Sequence, residues 1–419
     1  MYKEISKCRI CGNSDLVPVL DLGVQALTGV FPKTKDQLVT SGPLILVKCQ
    51  EDEEGKHCGL LQLKHSYDLG EMYGDNYGYR SGLNHSMVQH LNAKVKRILA
   101  AVELKANDLV IDIGSNDSTL LQAYPNKGYV LAGIDPTGIK FKQYYPSHVQ
   151  LVPDFFSAAA VKKNWGEKKA KIITSIAMFY DLEAPLDFMR QVYDVLADDG
   201  VWVFEQSYMP TMLEMNSYDT ACHEHLEYYR LKQIKWMADR VGFKILDIEF
   251  NKINGGSFSV MLAKKQSQYA ENVSLVNEIL LKEEALGLNI LKPYSEFKAR
   301  VFAHRDQLRA FVEAANKRGE KVFGYGASTK GNVILQFCNL TEKDIPFIAE
   351  VNIDKFGCYT PGTLIPIISE DDARRLNPDY FMVLLWHFKD SIILKEKNFM
   401  SRGRGLVFPL PNIETITHN

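Results

Sequence analysis

The sequence predicts an α/β protein in which two parallel-sheet domains follow a small, metal-stapled N-terminal module. Three observations predict it. Four of the seven cysteines fall before residue 60, a density that fits a local metal site better than a disulfide framework. Short apolar runs alternate with helical stretches through the middle of the chain, the pattern of a parallel sheet covered on both faces. A second strand, glycine turn and helix then begins at residue 321 with KVFGYGASTKGNVILQF.

Residues 1–75 carry short apolar runs, PLILVKC and CGLLQLKHS, that read as small strands joined by turns. Within 76–265, HSMVQHLNAKVKRILAAVEL has apolar residues at helical spacing. It leads into LVIDIG at 109–114, a buried strand followed at once by turn residues, and YVLAGID (129–135), KIITSIA (171–177), GVWVFEQ (200–206) and SFSVMLAKK (257–265) are the next strands. PLDFMRQVYDVLADD is helical. A mostly polar helical stretch from about 266 to 316 opens the third unit, 266–419, where PFIAEVN and YFMVLLW supply further strands and the two α/β halves read as distant duplicates.

With 46% hydrophobic and 24% charged residues the chain has an ordinary globular composition. A formal net charge of −2 excludes broad electrostatic attraction to nucleic acid or to an anionic membrane. MYKEISKCRICG lacks the apolar core of a signal peptide, and no run approaches the roughly 20 apolar residues that span a bilayer. A soluble, cytoplasmic protein is expected, as a monomer or small homo-oligomer.

Cys8 and Cys11 form a C-x2-C knuckle, and Cys49 with Cys58 supplies a second pair with eight residues between. Four thiolates suit a closed, structural tetrahedral Zn2+ site, with His57 as the alternative to Cys58. In the central domain, Asp112, Gly114, Ser115 and Asn116 place a glycine turn between strand and helix, where backbone N–H groups face a ligand. Asp135, before Pro136, ends the next strand 23 positions beyond Asp112, where a carboxylate accepts both hydroxyls of an adenosine ribose. Asp154, Phe155 and Phe156 are positioned to hold an adenine amino group and face. G-x-G-x-x-G is absent, which argues against NAD. With no pyrophosphate to cradle, the pattern fits S-adenosyl-L-methionine and a class I methyltransferase domain.

The densest polar cluster is Tyr218–Tyr229, with His223, Glu224 and His225 at its centre. H-E-H lacks the i, i+4 spacing of a helical zinc site, so an acid/base pair is expected instead. Tyr73, Tyr77 and Tyr79, with Arg80 or Ser81, lie where the metal module meets the sheet domain and can reach a substrate oxygen. The turn Gly324, Tyr325, Gly326, Ala327, Ser328, Thr329, Lys330 and Asn332 departs from G-x-x-x-x-G-K-[ST]. It is expected to bind the diphosphate of a nucleotide substrate and not to hydrolyse ATP.

Taken together, C-R-I-C-G, D-I-G-S-N-D-S-T-L-L, C-H-E-H-L-E-Y-Y, G-Y-G-A-S-T-K-G-N and P-G-T-L-I-P resemble the bacterial nucleotide-sugar C-methyltransferases, among them the C-3'-methyltransferase of tetronitrose biosynthesis. The resemblance implies a zinc-binding domain, a central methyltransferase domain and a C-terminal Rossmann-like domain that helps hold a nucleotide sugar. It also implies that Glu224 and His225 are the catalytic pair, with His225 the base, and that either Tyr77 or Tyr79 is an active-site residue. The sequence departs from the relative compared at Cys222, where a tyrosine is expected. It departs again at Met178–Asp181, where a histidine is replaced by Tyr180 or Asp181.

The expected reaction is methylation at C-3' of a nucleotide-linked 4-keto-6-deoxy sugar, on the way to a branched-chain deoxysugar. His225 would take the proton, Glu224 would poise it, and the tyrosines or His223 would donate to the enolate oxygen. The alternatives are O- or N-methylation of a sugar or other small molecule, and a zinc-containing nucleic-acid-binding or sensor protein on a methyltransferase-like scaffold.

Overall fold

The computed structural model describes residues 2–52, 54–73 and 79–417. At the N-terminus the strands Leu16–Ala26, Ser41–Cys49 and Leu61–Leu63 form an antiparallel sheet. Its fourth strand, Glu227–Tyr228, comes from the central domain and pairs Glu227 with Gln62 and Tyr228 with Leu61. The segment that follows H-E-H is therefore an edge of the metal module, a pairing that no local sequence signal announces.

The central sheet runs, edge to edge, Phe243–Asn251, Ser257–Lys264, Leu196–Ser207, Ala170–Ile176, Leu109–Ile113, Val130–Ile134 and Val149–Val152. The last five are parallel, and Ser257–Lys264 is antiparallel to both of its neighbours. Helix His85–Ala101 starts where the Asn84 side chain accepts from Ser86 N, and it buries Met87, Leu91, Val95 and Ile98 at helical spacing. The strand order reverses between Leu109–Ile113 and Ala170–Ile176, and ligands of such sheets bind outside the carboxyl ends of the strands at that switch point.

The polar stretch forms two helices, Val273–Ala285 and Lys292–Lys317, broken near Gly287 at φ +64. The C-terminal sheet then runs Ile367–Ser369, Ile348–Glu350, Val322–Tyr325, Tyr380–Val383, Gly405–Phe408 and Glu414–Thr417, parallel except for the last strand. Its own switch point lies between Val322–Tyr325 and Tyr380–Val383. One hydrophobic core joins Leu20, Leu44 and Leu63 of the metal module to the C-terminal sheet, whereas Cys8, Cys49 and Cys58 pack into the core of the central sheet. The metal module is thus wedged between the two larger domains.

Candidate active site

The N-terminal knuckle brings four sulfurs together. Cys8 Sγ lies 3.5 Å from Cys58 Sγ and Cys11 Sγ 3.6 Å from Cys49 Sγ, and all four lie within 4.8 Å of one another. A zinc ion bound to four thiolates at about 2.3 Å sets sulfur–sulfur edges of roughly 3.8 Å, so this donor set fits zinc. Asn13 Nδ2 donates to Cys49 Sγ at 3.5 Å, as groups around a metal ligand do. His57 stands outside the cluster, paired with Asp52 at 3.4 Å, which leaves Cys58 as the fourth ligand. Inside the knuckle, Arg9 donates to Leu63 O and Ser66 Oγ and lies 3.9 Å from Glu227. The metal loop is thereby tied to the strand that follows H-E-H.

At the switch point of the central sheet, Gly114 adopts φ +74, and a Cβ there would meet Met178 at 3.2 Å. Asn116 N donates to Asp135 Oδ2 at 2.7 Å, and Asp135 Oδ1 accepts from Thr137 N at 2.7 Å and Thr137 Oγ1 at 2.6 Å. Each carboxylate oxygen can accept more than one bond, so Asp135 anchors the glycine loop while keeping capacity for ribose hydroxyls. Ser115 and Asn116 are braced by Tyr145, whose hydroxyl lies 2.8 Å from Ser115 Oγ and donates to Asn116 O at 2.9 Å. Phe155 leaves 50% of its surface exposed beside Asp154, with Pro136 partly buried nearby in the chain at the end of the second strand. Two expected contacts take other positions. Asp112 lies inside the sheet, bonded to Thr174 Oγ1 at 2.6 Å, where burial pushes its carboxyl up to about 7. Phe156 turns to the core against Phe188, 5.0 Å away.

Replacing Asp135 with alanine removes the acceptor of three hydrogen bonds to its loop as well as that for the ribose. Bonds to a charged group contribute about 1.5–3 kcal/mol each, so calorimetry is expected to show S-adenosylhomocysteine affinity lowered by at least tenfold.

The loop Tyr218–Tyr229 is fastened to the segment that follows the strand Ala170–Ile176, where Leu226 N donates to Tyr180 O at 2.8 Å. His225 N donates to Cys222 O at 3.2 Å, closing a turn with His223 and Glu224 at its corners, and such corner residues point in different directions. His223 is fully buried, edge-on to Tyr67 of the metal module at 4.6 Å, and burial pushes its imidazole down to about 4. The structure therefore does not bring His223 to the cleft. His225 remains there. Its ring lies 4.2 Å from that of Tyr180, and its Nδ1 donates to Thr220 O at 2.9 Å, so Nε2 is the nitrogen left to accept a proton. Burial, then the charge of Lys330, pushes this imidazole down to about 3.

Glu224 sits where all three domains meet. Thr28 Oγ1 of the metal module lies 3.4 Å from Glu224 Oε2, and burial raises this carboxyl. A Cβ on Gly29 would fall 2.4 Å from Glu224 Oε1 and 3.6 Å from Thr329 Oγ1 of the C-terminal domain. Gly29→Ala must therefore displace the carboxylate, and a shift of about 1 Å near a reacting group costs on the order of 10²-fold in rate. The expected result is that loss in turnover with an unchanged melting temperature.

Asp181 is half-buried here, its carboxyl raised by desolvation, and Tyr73 donates to it at 2.8 Å. Of the tyrosine segment, Tyr77 lies outside the described residues. Tyr79 is half exposed, and its carbonyl accepts from Asn116 Nδ2 at 3.1 Å. Ser81 N donates to Asn116 Oδ1 at 3.0 Å, so this segment is fastened to the cofactor loop.

The C-terminal glycine turn divides by function. Gly324 and Tyr325 face the interior; a Cβ on Gly324 would strike Ile348, and the Tyr325 hydroxyl donates to Glu396 at 2.9 Å. Gly326 takes φ +87 against Leu385, Ala327 N donates to Glu350 Oε2 at 2.7 Å, and Ser328 caps the helix through Gly331 N. The N–H groups of Gly326, Ala327 and Gly331 are thus committed within the domain. Thr329 and Lys330 reach the cleft, and Asn332 Nδ2 donates to Thr28 O at 2.8 Å. Sequence reading missed Thr28, Gly29, Asn254 and the Trp386–His387 pair, and it placed Thr220 in the polar cluster without a role of its own. Trp386 Nε1 donates to the buried Asp219 Oδ2 at 2.7 Å. The one signal available for that pair was its place just past the carboxyl end of a switch-point strand.

Three family profiles divide the chain as the fold does: a zinc binding domain at 8–73, a methyltransferase domain at 83–248 and a C-methyltransferase C-terminal domain at 252–411. Along its whole length the chain is 29% identical over 425 residues to the C-methyltransferase NovU of Streptomyces niveus, covering 98% of that protein. The profiles and this full-length likeness together make the chain a C-methyltransferase. This C-methyltransferase uses S-adenosylmethionine as its methyl donor, and its four-cysteine cluster is a zinc site. Among solved structures, 1,6-didemethyltoxoflavin-N1-methyltransferase of Burkholderia thailandensis is 11% identical, covering 44% of this chain and 81% of its own, with a TM-score of 0.33. CcbJ of Streptomyces caelestis is 14% identical, covering 41% and 89%, with a TM-score of 0.32. At such scores neither likeness enters the argument. Among the described residues no helix of the C-methyltransferase is long and apolar enough to cross a membrane.

Proposed function

We propose that this C-methyltransferase alkylates the carbon beside the ketone, C-3', of a nucleoside-diphosphate-linked 4-keto-6-deoxy sugar in the cytoplasm, with His225 as the base. The observation that carries the reading is the tautomer and placement of His225. Its Nδ1–H is held by Thr220 O, which leaves Nε2 as the proton-accepting nitrogen, beside the Tyr180 ring.

A C–H beside a ketone is only weakly acidic, so the base must work with donors that stabilise the developing oxyanion. His225 Nε2 takes the proton, and the electron pair moves into the carbon–carbon bond while the carbonyl oxygen gains charge. Tyr180 packs on the imidazole and fixes its plane. Glu224 flanks it, positioned by Thr28 and Gly29, and on ionising stabilises the imidazolium. Gly114, Ser115, Asn116 and Asp135 hold the donor's amino-acid and ribose portions, with Asp154 and Phe155 on the adenine. When bound, S-adenosylmethionine supplies an electrophilic methyl group. The zinc is structural, because four protein ligands leave no open position.

The test uses 13C-methyl-labelled S-adenosylmethionine with uridine-, thymidine- and guanosine-diphosphate-linked 4-keto-6-deoxy sugars. The expected product carries the labelled methyl on C-3' with direct carbon–carbon coupling. A methyl found on oxygen or nitrogen would overturn the proposal.

A further inference from the structure

Lys330 stands second in the helix Thr329–Phe337, which leaves the C-terminal sheet at its switch point. Its ammonium donates to Asn254 O at 2.7 Å and Thr220 Oγ1 at 3.3 Å, and an ammonium carries three N–H groups. Two are thus engaged, both with elements of the central domain. Thr220 is also the residue whose carbonyl holds His225, so ammonium and imidazole flank one anchor. Asn254 presents its carbonyl from a left-handed conformation at φ 54, and a Cβ on the next residue, Gly255, would lie 3.0 Å from Trp386. The turn is therefore seated between Lys330 and the Trp386–His387 segment. Both switch points open toward this place: Met178–Asp181 follows the fourth strand of the central domain in sequence, and Leu384–His387 follows Tyr380–Val383.

We propose that Lys330 is a catalytic residue, whose third N–H donates to the ketone oxygen of the sugar while His225 Nε2 removes the neighbouring proton. The inference rests on the function proposed above and reassigns the glycine turn. With Ala327 N committed to Glu350, G-Y-G-A-S-T-K carries a cation to the keto group instead of cradling a diphosphate. As the C–H bond breaks, its proton goes to His225 and its electron pair forms the carbon–carbon double bond. The carbonyl π pair becomes an oxyanion held by Lys330. When the carbon then attacks the methyl group, the ketone re-forms, the sulfur keeps the pair of the broken bond, and Lys330 returns to its resting contacts. Burial lowers the Lys330 ammonium and the facing Asp219 and Cys222 oppose that lowering, while His225 and His387, lowered first by burial, are further disfavoured as cations by Lys330.

The test compares wild type, Lys330→Met and Lys330→Arg on thymidine- and uridine-diphosphate-linked 4-keto-6-deoxyglucose. Lys330→Met is expected to lower kcat by about 10²–10³-fold, as loss of an oxyanion donor does, with KM within about threefold and S-adenosylhomocysteine affinity unchanged. The acid limb of its kcat/KM profile should also move upward, since the ammonium helps keep His225 neutral, and Lys330→Arg should restore a tenth or more of the lost rate. A raised KM with kcat preserved would assign Lys330 to the diphosphate and overturn the proposal. So would a loss accompanied by a lower melting temperature and no shift in the pH profile. Wild type inactive on every keto sugar would instead defeat the proposed function. Wild type active with Lys330→Met undiminished defeats the lysine's role alone.

Discussion

Replacing His225 with alanine is expected to lower kcat by about 10³-fold, the middle of the range for removing a positioned general base, with S-adenosylhomocysteine affinity unchanged. The imidazole touches neither Asp135 nor the glycine loop, so the cofactor half of the cleft should survive. The pH dependence carries a further signature. In the free enzyme, burial and then Lys330 push His225 down to about 3. A lowered pKa favours the neutral form, so protonation should not inactivate the enzyme as pH falls from 8 to 5, and kcat/KM should show no limb near 6.5. A bound substrate brings negative charge and raises the imidazole, so the acid limb of kcat should lie above that of kcat/KM, because the two profiles report the complex and the free enzyme respectively. A limb in kcat/KM at the ordinary imidazole position would place His225 in water and contradict the cleft described here.

Removing the zinc, by chelation or by Cys49→Ser, is expected to abolish methylation although no zinc ligand touches the cleft. The reasoning is mechanical. A small module stapled by four thiolates owes much of its folding free energy to the ion. Here that module supplies Leu61–Leu63, which pairs with Glu227–Tyr228, and Thr28 and Gly29, which position Glu224. Arg9 inside the knuckle joins the two. Loosening it frees the whole H-E-H loop. The expected result is a loss of about 10²-fold or more in turnover, increased proteolysis near residues 50–60, and retained S-adenosylhomocysteine binding. Full activity in the zinc-free protein would contradict this coupling.

The parts of the molecule legible in sequence were those whose physics is local. Cys8, Cys11, Cys49 and Cys58 announce a tetrahedral site by chemistry alone. LVIDIG and YVLAGID are short buried strands wherever they occur, and a glycine turn followed by an acid at the next strand end limits what can bind. The rest depended on contacts between distant segments. H-E-H reads as a symmetrical pair of histidines, yet a four-residue turn sends His223 into the metal module and leaves His225 in the cleft. G-Y-G-A-S-T-K-G-N looks like a phosphate loop, but Glu350, far along the chain, already occupies the N–H of Ala327. Gly29 carries no signal in its own neighbourhood, and its need appears only when Glu224 arrives beside it. Trp386 and His387 read as the end of an apolar strand until Asp219 and Gly255 come to meet them.

The central claim is that His225 makes a carbanion equivalent beside the ketone. Solvent exchange tests it most directly, because S-adenosylhomocysteine fills the cofactor site but offers no methyl group. Wild type, S-adenosylhomocysteine and a keto sugar nucleotide in deuterium oxide are expected to replace the C-3' hydrogen with deuterium, visible as loss of its proton resonance, whereas His225→Ala should leave that resonance intact. Equal exchange by both proteins would contradict the account.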